Sequence, residues 1–146
     1  AADPRLHVAI AGAGPQEEDL RRRAAAPDLA GRVELLGPLD RRGVQELLSS
    51  ARVAVVPSRL EPFGIVAVEA MATGRGVVWS TNGGLADATG GLGVGADPTD
   101  TRALAQAMLD AHRNPVDPPT ARAHAESLRW TQIADRYLNL YAKVTP

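Results

Sequence analysis

The chain has 146 residues, 45% of them apolar, with 16 basic against 17 acidic side chains and no cysteine. That length suits one domain with a buried core, and this balance of apolar and charged residues belongs to a folded chain. A net charge of -1 leaves no electrostatic footprint for nucleic acid. The five aromatics (Phe63, Trp79, Trp130, Tyr137, Tyr141) are too few for a base-stacking surface. Disulfides, thiolate catalysis and cysteine zinc sites are excluded. No apolar run approaches the roughly 20 residues of a membrane span, and no basic-then-apolar leader opens the chain. The expectation left standing is a cytoplasmic domain that binds a small molecule or a protein.

Residues 6–11 (LHVAIA) predict a buried strand, stopped by Gly12-Ala13-Gly14-Pro15 and followed by a helix with an acidic first turn from Gln16 to Asp19. Residues 33–36 (VELL) predict a second strand, ended by Gly37-Pro38. Asp40 then caps a helix in which Val44, Leu47, Leu48 and Ala51 form one apolar stripe. A third strand, 53–56 (VAVV), is closed by Pro57, and a helix over 64–73 places Ile65, Val68 and Ala72 on one side. Residues 77–79 form a fourth strand. From 82 to 95 the chain carries six of its 14 glycines and reads as loop, with a weak strand over 93–96. Asp100 begins a helix with Leu104, Met108 and Leu109 inward. Beyond the prolines at 115, 118 and 119 come two more helices, the last from Thr131 with Ile133, Tyr137, Leu140, Tyr141 and Val144 as a packing stripe. Short apolar strands alternating with helices predict an α/β, Rossmann-like parallel sheet with helices on both faces. Ligands bind such sheets outside the carboxyl ends of their strands.

The loop after the third strand carries the most chemistry. It reads Pro57-Ser58-Arg59-Leu60-Glu61-Pro62-Phe63-Gly64 and runs into Ile65-Val66-Ala67-Val68-Glu69. A helix N-terminus attracts anions through its free N–H groups and its dipole. A carboxylate on either side of such a site suits a ligand with a central phosphate and hydroxyls at both ends, the shape of a nucleotide-sugar. A plainer arrangement fits the same spacing, with Glu61 capping the helix and Glu69 paired with a surface arginine. Gly12-Ala13-Gly14 begins like a dinucleotide fingerprint, but Glu17 holds the place of the third small residue, which favours a turn. His7, His112 and His124 have no metal-ligand spacing. Arg21-Arg22-Arg23 and Arg41-Arg42 read as solvated helix faces, with contact to anionic lipid as the other reading. Asn82-Gly83-Gly84 reads as a plain turn or as a border of the sugar pocket.

Glu61 through Glu69 resembles the E-x7-E motif of retaining glycosyltransferases of the GT-B fold, most closely their family 4. The same order of pieces runs along the chain: Gly12-Ala13-Gly14-Pro15, Val33-Glu34-Leu35-Leu36-Gly37, Pro57-Ser58, Glu69-Ala70-Met71-Ala72-Thr73-Gly74, Gly83-Gly84-Leu85, and Trp130-Thr131-Gln132-Ile133-Ala134 with Tyr137 and Tyr141. The resemblance implies a hexosyltransferase-type enzyme that moves a sugar from a UDP-, GDP- or ADP-sugar to an acceptor hydroxyl, with no cofactor and no metal. It implies Glu61 as the catalytic-site carboxylate that bonds the transferred sugar. Backbone amides of Phe63, Gly64 and Ile65 would meet sugar and phosphate, Glu69 the ribose, and the loop Gly37-Pro38-Leu39 the nucleobase.

Two departures accompany it. Gly76 stands where the family usually has a proline, a change expected to alter only a loop. The arginine and lysine that clamp the diphosphate in the family have no counterpart in residues 1–5. Residues 1–146 are therefore expected to be a single donor-binding domain, truncated at its N-terminus and without the first strand and helix. The strands at 6–11 and 53–56 would then flank an unfilled position. The acceptor domain is expected to be absent and the fragment alone inactive. Alternatives in the same fold are a sugar-nucleotide epimerase and a noncatalytic nucleotide-sugar-binding domain. The expected location is cytoplasmic, or peripheral to the inner face of the membrane.

Overall fold

The structure, a computed structural model, describes residues 6–144. Its contacts divide the chain into two compact units, Ala1–Val44 and Gln45–Pro146, and the described strands form one parallel sheet in each.

In the first unit β1 (Val8–Ala11) and β2 (Val33–Gly37) pair in parallel, from Val8 opposite Val33 to Ala11 opposite Gly37, with an irregularity after Ile10. Between them lies α1 (Glu17–Ala24), with three acidic residues in its first turn and three arginines in its last. Both ends complement the helix dipole. The expectation of a buried first strand is corrected: Val8 is 36% and Ile10 38% exposed. Among the described residues β2 is its one strand neighbour, and α1 buries no side chain. At the close of the unit the Gly43 amide donates to Asp40 Oδ1 at 2.7 Å, the cap expected for α2 (Arg41–Ser50).

The second unit has the sheet order β3-β4-β5, with β3 (Val53–Val56), β4 (Gly76–Ser80) and β5 (Val94–Ala96) all parallel. Side chains alternate across a strand, so β4 sends Val78 to one face and Val77 to the other. On the first face Val78 and Ala96 pack with Ala107 and Ala111 of α5 (Thr101–Arg113), joined by Val53, Val55, Val94, Leu104 and Met108. On the second lie α3 (Ile65–Ala72) and α4 (Leu85–Thr89), both packed on β4. α6 (Pro118–Ser127) packs against α3, and α7 (Trp130–Val144) ends the described chain.

Four expectations change in this unit. The core side of α3 is Ala67, Ala70 and Met71, each at most 1% exposed, whereas Ile65 is 68% exposed. The Ile65–Val68–Ala72 stripe instead lines a groove beside α6. An apolar helix with a single charge gives periodicity little to discriminate, and the small alanines let the backbone approach the sheet. The stretch read as loop contains α4, with Leu85, Ala88 and Thr89 fully buried. Gly76 opens β4 opposite Val53, and an added Cβ would lie 3.3 Å from Val116 Cγ2 and N, so this departure sits in a strand. The α7 stripe is uncovered among the described residues: Tyr137, Leu140, Tyr141 and Val144 are all more than half exposed. Tyr137 and Tyr141 face each other at a ring separation of 6.4 Å.

The start of α5 illustrates local control of the fold. Asp100 Oδ1 accepts from the amides of Arg102 at 2.9 Å and Ala103 at 3.0 Å, two donors that the helix itself leaves unpaired. Asp100→Ala is expected to destabilise the chain by about 1 kcal/mol, whereas Met71→Ala, which empties a site 1% exposed, costs about 2–5 kcal/mol. Urea unfolding followed by circular dichroism measures both.

Candidate functional site

β3 ends at Val56, at the carboxyl end of the sheet, and the loop 57–64 crosses from there to α3. Gly64 is the N-cap, in the left-handed region at φ 94° and ψ 61°. Only glycine adopts that conformation without strain. No side chain caps the helix, so its first-turn amides receive no side-chain oxygen. The plainer arrangement considered for Glu61 is therefore not the one present. Glu61 is half-buried, and Ser58 Oγ lies 3.5 Å from its Oε2.

The loop is held from beneath by backbone. Glu61 bridges in parallel to Gly83, and the Gly84 amide donates to the Glu61 carbonyl at 2.8 Å. A Cβ on Gly83 would overlap that carbonyl, and one on Gly84 would overlap the carbonyl of Pro62. Gly83 itself has φ 107°. Ser80, 1% exposed at the end of β4, accepts from the Asn82 amide at 3.0 Å and fixes the start of the same turn. The glycine pair thus packs directly against the loop that carries Glu61.

Glu69 is exposed on α3, in a groove of ≈ 230 Å³ shared with Ile65, Val68, Arg122 and Arg129. The arginine pairing that the plainer arrangement requires is not found among the described residues. Arg129 pairs with Glu126 at 2.5 Å, and Arg122 donates to the Thr73 carbonyl at 3.2 Å. Glu69 is thus left facing solvent and Glu61 half-buried, on either side of a helix start that no side chain caps, and such a terminus can attract an anion.

Glu61, Phe63 and Gly64 lie in the loop after β3, and Ile65 and Glu69 lie on α3, where both line the groove beside α6. Phe63 is 39% exposed. Gly37, Pro38 and Leu39 belong to the other unit, where Gly37 is buried and its carbonyl accepts from the Gly12 amide at 2.8 Å. Gly12-Ala13-Gly14 leads into a turn closed by the Glu17 amide donating to the Gly14 carbonyl at 3.1 Å, and lines a cleft of ≈ 240 Å³ together with Ile10, Leu35 and Gly37. Sequence reasoning missed Ser80 and the buried place of Leu85. The available signal was the i, i+3, i+4 spacing of Leu85, Ala88 and Thr89.

The arginine run of α1 is neutralised within the chain: Arg21 pairs with Glu17 at 2.8 Å, Arg23 with Asp28 at 2.7 Å, and Arg22 with Asp19. The Arg23 guanidinium holds the Asp28 carboxyl below the usual carboxylate range. This removes most of the positive field a lipid surface would attract. No helix among the described residues is long and apolar enough to cross a membrane.

Parallel sheets flanked by helices, with a loop and helix start open at the strand ends, place the chain in the fold of the GT-B glycosyltransferases. It superposes on sucrose-phosphate synthase of Thermosynechococcus elongatus with a TM-score of 0.71 and 30% identity, covering 97% of this chain and 39% of that one. HepE of Anabaena, solved with UDP and glucose, matches with a TM-score of 0.76 at 23% identity, over 97% of this chain and 42% of that one, a likeness of fold. The profile of the family "Glycosyl transferases group 1" matches residues 1–114, and the chain belongs to that family. Similar curated proteins include a glycogen synthase of Mycobacterium tuberculosis, 38% identical over 137 residues, which covers 90% of this chain and 32% of that protein. A D-inositol 3-phosphate glycosyltransferase of Catenulispora acidiphila is 34% identical over 151 residues, covering 95% of this chain and 35% of the relative. The chain thus spans about a third of the length of these relatives.

Gly84 offers a clean test of the backbone contact, because its φ of -85° is ordinary and only space forbids a side chain. Gly84→Ala is expected to lower stability by about 1–3 kcal/mol. Gly14→Ala, with nothing within 4 Å of the new Cβ, changes it by less than about 0.5 kcal/mol. Thermal melts of the two variants compare the effects directly.

Proposed function

We propose that the chain is the nucleotide-sugar-binding part of a retaining glycosyltransferase of family 4, moving a hexose from a UDP-, GDP- or ADP-sugar to an acceptor hydroxyl. The observation that carries this reading is the uncapped start of α3 between Glu61 and Glu69, at the carboxyl end of β3 in a member of this family. Diphosphate charge, growing as the bond to the sugar breaks, is met by the helix N-terminus and the amides of Phe63, Gly64 and Ile65. Glu61 holds the sugar's hydroxyls and stabilises the oxocarbenium-like centre, which the acceptor oxygen attacks on the face that the diphosphate leaves. Glu69 accepts from the ribose hydroxyls, and the loop Gly37-Pro38-Leu39 lies beside the base. Helix and amide dipoles take the part a metal ion plays elsewhere, so the proposed reaction needs neither metal nor cofactor.

On this reading residues 1–146 are the donor domain, and acceptor binding and the cationic clamp are supplied by the remainder of a longer protein. That agrees with a chain spanning about a third of its relatives. The 146-residue chain by itself then binds donor without turning it over. The place of action is the cytoplasm or the inner face of a membrane.

Thermal shift and calorimetry with UDP-glucose, GDP-mannose and ADP-glucose test the reading. One donor is expected to raise the melting temperature, and at 100 times its Kd it adds about 2.7 kcal/mol of stability. Glu69→Ala, which removes charged hydrogen bonds worth about 1.5–3 kcal/mol, weakens that donor roughly 10- to 100-fold. In a protein carrying the acceptor half, Glu61→Ala abolishes transfer with the fold intact. Near-wild-type transfer by that variant would overturn the assignment of Glu61.

A further inference from the structure

The loop that carries Glu61 rests on a buried element outside the stretch from Glu61 to Glu69. Leu85, the first residue of α4, is 0% exposed. Its side chain lies directly beneath Gly64, so close that a Cβ on Gly64 would overlap Leu85 Cδ2 and lie 3.3 Å from Leu85 Cγ. The same Cβ would be 3.4 Å from Glu61 Cγ. One leucine therefore lies against Gly64, which is both the end of the carboxylate loop and the N-cap of α3.

The support is itself fixed from behind. Thr89, buried, donates from Oγ1 to the Leu85 carbonyl at 2.9 Å. His124 of α6 lies with Nε2 at 2.9 Å from the Ala88 carbonyl, and its ring fills the space beside Gly90. α4 is thus wedged between α6 and the loop.

The two ends of α3 are held differently. Its body is locked to the core by Ala67, Ala70 and Met71, and Glu69 rides on that body. Its N-cap has no side-chain cap, and Ile65 and Val66 are exposed. The height of the first turn above the sheet is set where Gly64 meets Leu85.

We infer that Leu85 is a positioning residue of the donor site. Through Gly64 it sets the amides of Phe63 to Ile65 and the reach of Glu61, and so governs affinity for the sugar and adjoining phosphate of a nucleotide-sugar while leaving the nucleoside end at Glu69 unaffected. The inference rests on the donor-site reading above. Displacement by about an ångström suffices to degrade a site built of fixed hydrogen-bond donors.

Calorimetry on the 146-residue chain tests it, with UDP-glucose, GDP-mannose and ADP-glucose each compared with UMP, GMP and AMP, which lack both the second phosphate and the sugar. In the pair that binds, Leu85→Ala is expected to weaken the nucleotide-sugar at least 10-fold and the monophosphate less than 2-fold. Leu85→Met, which refills the space, recovers most of the loss. Should Leu85→Ala fail to fold by circular dichroism, Leu85→Val carries the same comparison. Equal losses for both ligands would make Leu85 merely structural and overturn the inference, as would unchanged binding of both. If the unmutated chain binds monophosphate but no nucleotide-sugar, the donor-site reading fails first and this inference falls with it.

Discussion

Two peptide segments far apart in the chain lie flat against one another at residues 61–62 and 83–84, with no side chain between them, and the geometry of the site follows from that contact. Peptide groups approach this closely only where Cβ atoms are missing, and both positions on the lower segment are glycines. The Gly84 amide then reaches the Glu61 carbonyl, which satisfies a backbone acceptor that would otherwise compete for ligand. Glu61 is carried on a loop with little regular structure, yet its main chain is bonded as though it were an edge strand. In the proposed function this matters because the main chain that carries the carboxylate is settled before a ligand arrives.

The electrostatic character of the site has the same origin. An uncapped helix start is a cost to an isolated helix, since its first amides lack partners. In α3 that cost is offset by burial of Ala67, Ala70 and Met71 against the sheet, which leaves the helix N-terminus free for an outside anion. By contrast α5, whose start has no such role, is capped by Asp100 through two amides, and α6 by Asp117. Some acidic residues elsewhere on the surface pair with neighbouring arginines, as in the three pairs made by Arg21, Arg22 and Arg23. Glu61 and Glu69 stand apart from these pairs, and the overall charge near neutrality hides a locally uneven distribution.

Much of the architecture was legible because its signals are local. Short, mostly apolar strands ended by Pro57 or Gly37, and helices opened by Asp40 and Asp100, need only neighbours in sequence to declare themselves. The order Glu61-Pro62-Phe63-Gly64 likewise placed a loop and a helix start correctly. Less legible were the features decided by what packs on what. The helix 65–72 is apolar on nearly every side, so its composition cannot say which side meets the sheet. The stretch 82–95 contains so many glycines that the five-residue helix within it was obscured, although Leu85, Ala88 and Thr89 already carried helical spacing.

The sequence by itself therefore determined the alternation of strands and helices, the caps, and the residue types gathered after the third strand, since each depends on interactions within a few residues. Tertiary structure alone decided that Glu61 does not cap α3, that Glu69 pairs with no arginine among the described residues, that Gly83 and Gly84 are contact points as well as a turn, and that Leu85 sits beneath Gly64. Those outcomes depend on close approaches between segments distant in the chain. Such an approach is set by the volumes of side chains that meet only after folding, and no spacing along the chain encodes it.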